Sequence, residues 1–208
     1  MFEVIEGDLV KLDKATYEAR EAALRSSLLE AQYRVLDAKR FPVLVVIGGV
    51  DGAGKGETVN LLTEWMDPRH IHARAFSDAT DEERQRPPMW RFWRVLPPKG
   101  KMGVFFGSWY TEPIVARALK RSTAAEFDAA LAEIQRFETM LAREGALVVK
   151  FWFHLSKKAQ SKRLEDLGRD KRTAWRVTDE DWKRFERYDD FRKVSERALK
   201  ATTTDDAP

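Results

Sequence analysis

Residues 43–59 read "VLVVIGGVDGAGKGETV", and the reading of this stretch decides the fold. Its first five residues are all apolar and mostly β-branched, and Pro42 stands directly before them. Such a run is too short for a buried helix, so it predicts a strand covered on both faces. "GVDGAGK" follows, from Gly49 to Lys55, and satisfies the G-x-x-x-x-G-K pattern of a phosphate-binding loop. "GETVNLLTEWM" then continues as a helix. Strand, glycine-rich loop and helix in that order place backbone N–H groups and the positive end of a helix dipole around one anionic phosphorus group.

Working outward, apolar residues at helical spacing in 15–38 predict a long amphipathic helix before this strand. "HIHARAF" (70–76), "KMGVFF" (101–106) and "ALVVKFWFHL" (146–155) are further strands, with short helices expected on either side of Pro87-Pro88. Thr123 and Glu126 stand at capping-box spacing before a helix that closes at Gly145, and Ser156 caps the helix after the fourth strand. One final amphipathic helix is expected from about Thr178 to residue 200. Its Trp182, Phe185, Tyr188 and Phe191 recur at helical spacing, to pack on the core or on another subunit. The fold class is therefore α/β, a three-layer α/β/α sandwich on a parallel sheet. Residues 1–40 form an N-terminal helical segment, 41–156 the core, 157–177 a lid and 178–200 the last helix. "TTTDDAP" is expected to end without a closing element, as in a fragment of a longer chain.

With 208 residues, 43% hydrophobic and 34% charged, one soluble domain is expected. No apolar run approaches a membrane span of about 18–20 residues, and the mixed, acidic N-terminus is neither a signal nor a transit peptide. Cysteine is absent, which excludes disulfides and thiolate chemistry, and the three histidines lack zinc-site spacing. A cytoplasmic protein is expected. The net charge of +3 conceals basic concentrations at 84–101 and 157–176. These suit a polyanionic ligand. No nucleic-acid motif accompanies them, and Trp90, Trp93 and Trp109 are not expected to stack single-stranded bases. Phe151, Trp152 and Phe153 read as core and sheet packing.

The phosphate cradle comprises Gly49, Gly52, Ala53, Gly54, Lys55, Gly56 and Glu57, with Lys55 reaching the terminal phosphates. Two features depart from the usual loop. Gly56 takes the place of the Ser or Thr whose hydroxyl binds Mg²⁺, leaving Thr58 as the nearest hydroxyl. Asp51 lies inside the loop, where phosphate repels it unless a cation intervenes. A metal-linked Asp51 is one reading, and a carboxylate that braces the turn through its own backbone is the other.

These residues resemble the family-2 polyphosphate kinases and their polyphosphate:AMP phosphotransferase branch. The resemblance rests on "GVDGAGKGETV", "DPRHIHARAFSDATDEE" (67–83), "WRFWRVLPPKGKMGVFFGSWY" (90–110), "EIQRFETMLAREGALVVKFWFHLS" (133–156) and "TDEDW" (178–182). It implies a thymidylate-kinase-like P-loop fold with a helical lid. It also implies Mg²⁺-assisted transfer of a phosphoryl group from inorganic polyphosphate to a nucleotide, AMP to ADP, in a homo-oligomer. By resemblance, Asp51 and Lys55 are catalytic, with Asp51 on the magnesium. Lys162, Arg163, Arg169, Arg172 and Arg176 are lid cations for polyphosphate. Arg91, Arg94 and Tyr110 belong to the nucleotide side.

Where the family usually reads Asp-Arg-Ser-Trp-Tyr-Asn-Arg, this chain reads Phe106-Gly107-Ser108-Trp109-Tyr110-Thr111-Glu112. A second acid and two arginines are missing, and a further lid arginine falls on Leu167. Asp78 and Asp81 are distant substitutes for the acid. This motivates a second expectation: a catalytically degenerate first domain of a tandem enzyme, serving binding or oligomerisation. An ATP-dependent nucleoside monophosphate kinase is a third.

Overall fold

The computed structural model describes Phe2 and residues 12–208. The beginning of the expected N-terminal helical segment lies outside them. Strand β1 (Val43–Gly49) is central, because both faces of its apolar run can be buried only there. It is flanked by β3 (Met102–Phe106) and β4 (Leu147–Phe153), with β2 (Ile71–Ala75) outside β3, giving the parallel order β2-β3-β1-β4. Val45 lies opposite Val104 and Val149 in register.

Nine helices occur among the described residues: α1 (Lys14–Ala38), α2 (Lys55–Trp65), α3 (Asp81–Arg84), α4 (Trp90–Trp93), α5 (Thr111–Ala118), α6 (Ala124–Arg143), α7 (Lys157–Arg169), α8 (Asp179–Glu186) and α9 (Tyr188–Thr202). Alternation along β1 divides the core in two. Val43, Val45 and Ile47 meet Val59 and Leu62 of α2 and Val35 of α1, whereas Leu44 and Val46 meet Ile114, Ile134, Phe137 and Ala198 of α5, α6 and α9. The predicted capping boxes on α6 (Thr123 with Glu126) and the Ser156 cap on α7 are present, and Gly145 ends α6 at φ +87°.

Several expectations are corrected. The α1 helix forms, but it buries only Gln32 fully, and Leu24 is 58% exposed, so it is an outrigger more than a core helix. Gln32 holds it in place by donating to the Asp67 carbonyl and accepting from the Asp67 N–H, at 2.9 and 2.8 Å. The single helix expected from Thr178 to residue 200 is two helices. It breaks at Arg187, whose guanidinium donates to the Ala118 carbonyl and to Asp190. The break lets α8 turn toward the glycine-rich loop while α9 packs Phe191, Val194 and Ala198 into the core. Phe151 points out from the edge strand and is exposed, in contrast to Trp152 and Phe153, which pack against the two cores.

Residues 203–208 carry no helix or strand. Ala207 is fully buried, and Lys150 Nζ donates to the carbonyls of Thr202 and Ala207 at 3.0 and 2.6 Å. The same ammonium lies 3.1 Å from Glu138, a buried carboxylate that also accepts from Trp109 Nε1 at 2.9 Å and the Tyr110 hydroxyl at 2.7 Å. Burial and the nearby Glu138 charge push the Tyr110 hydroxyl far above its ordinary pKa, so it stays a donor.

Removing one partner of such a buried ion pair leaves the other charge unpaired. Glu138→Ala is therefore expected to cost about 3–5 kcal/mol in urea unfolding. Glu138→Ala with Lys150→Met should recover a large part of that loss, and an unchanged loss in the double variant would refute the pairing.

Candidate functional site

The loop between β1 and α2 is shaped by three glycines with positive φ, at +131° (Gly49), +79° (Gly52) and +94° (Gly54). A Cβ on Gly49 would lie 2.1 Å from the Phe153 carbonyl oxygen, so only glycine lets β1 leave the sheet here. That carbonyl accepts from the Val50 N–H at 3.0 Å, and Gln160 of α7 donates to the Asp51 carbonyl at 3.0 Å. Among the described residues, the N–H groups of Gly52, Gly54, Lys55 and Gly56 find no carbonyl acceptor. They are the donors that a phosphate-binding loop offers an anion.

Lys55 Nζ rests on its own loop, donating to Gly49 O (2.6 Å), Val50 O (3.1 Å) and Asp51 Oδ1 (3.2 Å). The other Asp51 oxygen faces Arg184 Nη1 of α8 at 3.6 Å. Of the two sequence readings of Asp51, the geometry favours neither a bare metal ligand nor a turn brace: its carboxylate lies between two cations. On the far side of the loop, Glu57 accepts from Arg176 at 2.8 Å and has Arg163 at 3.7 Å. The Glu57 carboxylate is thus an anchor for the lid arginines. Partial burial works to raise its carboxyl, but its own backbone N–H and Arg176 overcome this and hold it below the usual range.

Two cavities flank Lys55. A smaller one, about 150 Å³, runs from Gly52 and Gly56 to Leu164, Leu167, Arg176 and Asp181. A larger one, about 220 Å³, runs from Asp51 and Arg184 between Phe76, Ile114, Trp152 and Phe191. Phe106 lines both, so a phenyl ring stands beside Lys55 at the end of β3 where a second acid was sought. Gly107 after it has φ +70°, and a Cβ there would come 3.0 Å from the Phe76 carbonyl.

The remaining predicted site residues divide clearly. Ala53 lies within the loop, its N–H turned to the Val50 carbonyl. Arg163 and Arg176 reach the loop through Glu57. Arg169 pairs with Glu165 and Asp166 on its own helix, Arg172 pairs with Asp170, and Lys162 is exposed on α7. Arg91 donates to the Ser77 carbonyl and faces Glu83, and Arg94 stacks 4.6 Å over the Trp90 ring. Neither lines the two cavities. Tyr110 contributes its ring to the larger cavity, but its hydroxyl belongs to the buried Glu138 network, which removes it from nucleotide contact. Trp109 is buried as well. Asp81 is an exposed partner of Arg84 and does not stand in for the missing acid.

Sequence reasoning missed Arg184 and Gln160. Arg184 sits four residues after Glu180 in a charged helix, a pattern that reads as a solvated face. Only the break at Arg187, which aims α8 at the loop, gives it a role.

The donor set does not compose a protein-held magnesium site. Asp51 is engaged by Lys55 and Arg184, Glu57 by two arginines, and the Asp181 carboxylate by the N–H and hydroxyl of Thr178 in the α8 cap. Among the described residues no three His, Asp or Glu side chains gather where they could hold a metal. No described helix is long and apolar enough to cross a membrane.

Residues 11–208 match the family model of polyphosphate kinase 2 (PPK2). The chain is 51% identical over 197 residues to a polyphosphate:AMP phosphotransferase of Pseudomonas aeruginosa, covering 95% of this chain and 40% of that protein. It is 31% identical over 198 residues to ADP-polyphosphate phosphotransferase 1 of Rhizobium meliloti, covering 95% and 66%. A crystal structure of polyphosphate kinase 2 from Arthrobacter aurescens TC1 superposes with a TM-score of 0.90 at 30% identity, covering 95% of this chain and 71% of that one. The chain spans about 40% of the length of the polyphosphate:AMP phosphotransferase it matches. With the family model matching residues 11–208, this chain belongs to the polyphosphate kinase 2 family.

Proposed function

We propose that this chain is a phosphate-gripping domain of a polyphosphate-dependent nucleotide phosphotransferase, with inorganic polyphosphate as donor and AMP as the preferred acceptor. The observation that carries the reading is the convergence of Lys55, Arg184, Arg163 and Arg176 on one glycine-rich loop with unpaired N–H groups. The names of the family relatives supply the substrate class.

The chemistry asked of the protein is modest. An oxygen of the acceptor phosphate attacks the terminal phosphorus of polyphosphate, the P–O–P bond breaks, and its electron pair leaves on the shortened polyphosphate. A phosphate oxygen is already ionised near neutral pH, so no general base is required. What remains is alignment and neutralisation of the charge on the equatorial oxygens. The free N–H groups of Gly52, Gly54, Lys55 and Gly56 hold that phosphoryl group. Lys55 swings from its loop carbonyls onto it, and Asp51 keeps Lys55 and Arg184 aimed between turnovers. Arg163 and Arg176, which are partly solvent-accessible, take the next phosphates along the polymer. Magnesium accompanies the polyanionic substrates as their counter-ion. We place the protein in the cytoplasm, where nucleotides and polyphosphate meet. The exposed Leu24, Leu147 and Phe151 support a homo-oligomer.

A coupled assay for ADP from AMP and tripolyphosphate tests the reading. Lys55→Ala is expected to lower turnover by roughly 10²–10³, the usual cost of one preorganised charge. ADP formation from ATP but not from tripolyphosphate would overturn the donor assignment. The lid divides similarly. Arg176→Ala should raise the KM for polyphosphate several-fold, and Arg172→Ala, whose guanidinium pairs with Asp170 in solvent, should leave it within about twofold.

A further inference from the structure

The larger cavity holds a cation that neither the loop pattern nor the lid accounts for. Arg184 presents its Nη1 to Asp51, and its buried Nε–H has no hydrogen-bond partner, the nearest carboxylate oxygen, of Glu180, standing 3.6 Å away. Its guanidinium shares the cavity with Lys55, and Phe106 and Phe191 line the same walls. The charged groups that line it are Lys55, Arg184 and Asp51, and Glu180, 3.6 Å from Arg184 Nε but outside the lining, brings the local charge to balance. On the other side of the loop Arg163 and Arg176 face Glu57, and Asp181 lines the same cavity. A divalent cation entering the larger cavity finds Asp51, the one carboxylate in its lining, already held between Lys55 and Arg184. A phosphate group meets attraction, and it can replace Asp51 as the partner of Arg184 through two parallel N–H···O bonds.

We propose that Arg184 is the second phosphate clamp of this loop. Lys55 and Arg184 together grip a terminal phosphate of polyphosphate without a magnesium ion held by the protein. The proposal rests on the phosphate-loop reading above and adds the identity of the group that supplies the missing positive charge. Arg184 shares the larger cavity with Lys55 and with Phe106, the residue at the end of β3 where an acid was sought, so the positive charge that an acid would recruit as metal is carried by the chain itself. The shortness of α8 and the turn at Arg187 keep the guanidinium aimed at the loop. Arg184 is a binding and positioning residue in this scheme.

Titration calorimetry of residues 1–208 with sodium tripolyphosphate, once in EDTA and once in excess Mg²⁺, tests the clamp. One tripolyphosphate per chain is expected in EDTA, with a Kd no weaker than in Mg²⁺, which competes for the ligand. Arg184→Gln should weaken the EDTA Kd roughly tenfold or more. Arg184→Lys should restore only part, since an ammonium cannot bind bidentately. Arg143→Gln, at the end of α6, serves as the charge control and should change nothing, and thermal unfolding of each variant reports whether it folds. Binding that requires Mg²⁺, or an unchanged Kd in a folded Arg184→Gln protein, overturns the clamp while leaving the phosphate-loop reading intact. Absence of binding in both buffers overturns that reading and the clamp with it.

Discussion

The backbone contact between Gly49 and Phe153 is the constraint from which the site follows. With the Phe153 carbonyl 2.1 Å from where a Cβ would be, β1 and β4 come so close at their C-terminal ends that the loop must leave the sheet at this point. The Val50 N–H then bonds that same carbonyl, fixing the loop's first turn to β4. Everything after β4 is thereby placed relative to the loop. Helix α7 starts three residues on, capped by Ser156, and its Gln160 bonds the Asp51 carbonyl. Leu164, one turn further, closes the cradle from above. Ligands of open α/β sheets bind outside the carboxyl ends of the strands, and here that geometry is set by one carbonyl and a missing methyl group.

A cradle of amides alone has no strong preference among anions, so any selectivity among them has to come from the spacing of cations. Lys55 and Arg184 lie on one side of the loop and Arg163 and Arg176 on the other, the first pair bridged by Asp51 and the second by Glu57. Asp51 and Glu57 thus do similar work. Each holds two cations that would otherwise repel one another, and each can be displaced from them by a phosphate of higher charge. The partly exposed pairs contribute little to stability. Their value lies in pre-ordering long side chains whose immobilisation would otherwise weaken binding.

Most of the fold was legible in the sequence for a physical reason: buried strands and capped helices are local patterns. The apolar run at 43–47, the capping box at Thr123 and the glycines of the loop each state their structure within about seven residues. The cradle itself was legible for the same reason. What escaped depends on long-range geometry. Tyr110 is assigned to the nucleotide side by resemblance alone, and no local pattern shows that its hydroxyl is bound to Glu138 and Thr202, 28 and 92 residues away. Arg169 and Arg172 look equivalent to Arg163 and Arg176 in a basic run, and only the partner each finds separates them. Helix periodicity cannot show that the turn at Arg187 spends its side chain on the Ala118 carbonyl, and so it cannot show where Arg184 points.

Phe106 carries the remaining step. A carboxylate at the end of β3 would stand beside Asp51 and Lys55, and two acids flanking one lysine favour a divalent metal between them. A phenyl ring there contributes to the apolar cluster of Ile47 and Val104 and lowers the local dielectric. Lower dielectric strengthens the attraction between the remaining cations and a phosphate as much as it penalises any unpaired charge. With a phenyl ring there, Asp51 faces Lys55 and Arg184 without a second acid beside it on β3. The same substitution that weakens a metal-centred site therefore strengthens one built on a lysine and an arginine, and the two effects share one origin in the side chain at the end of the third strand.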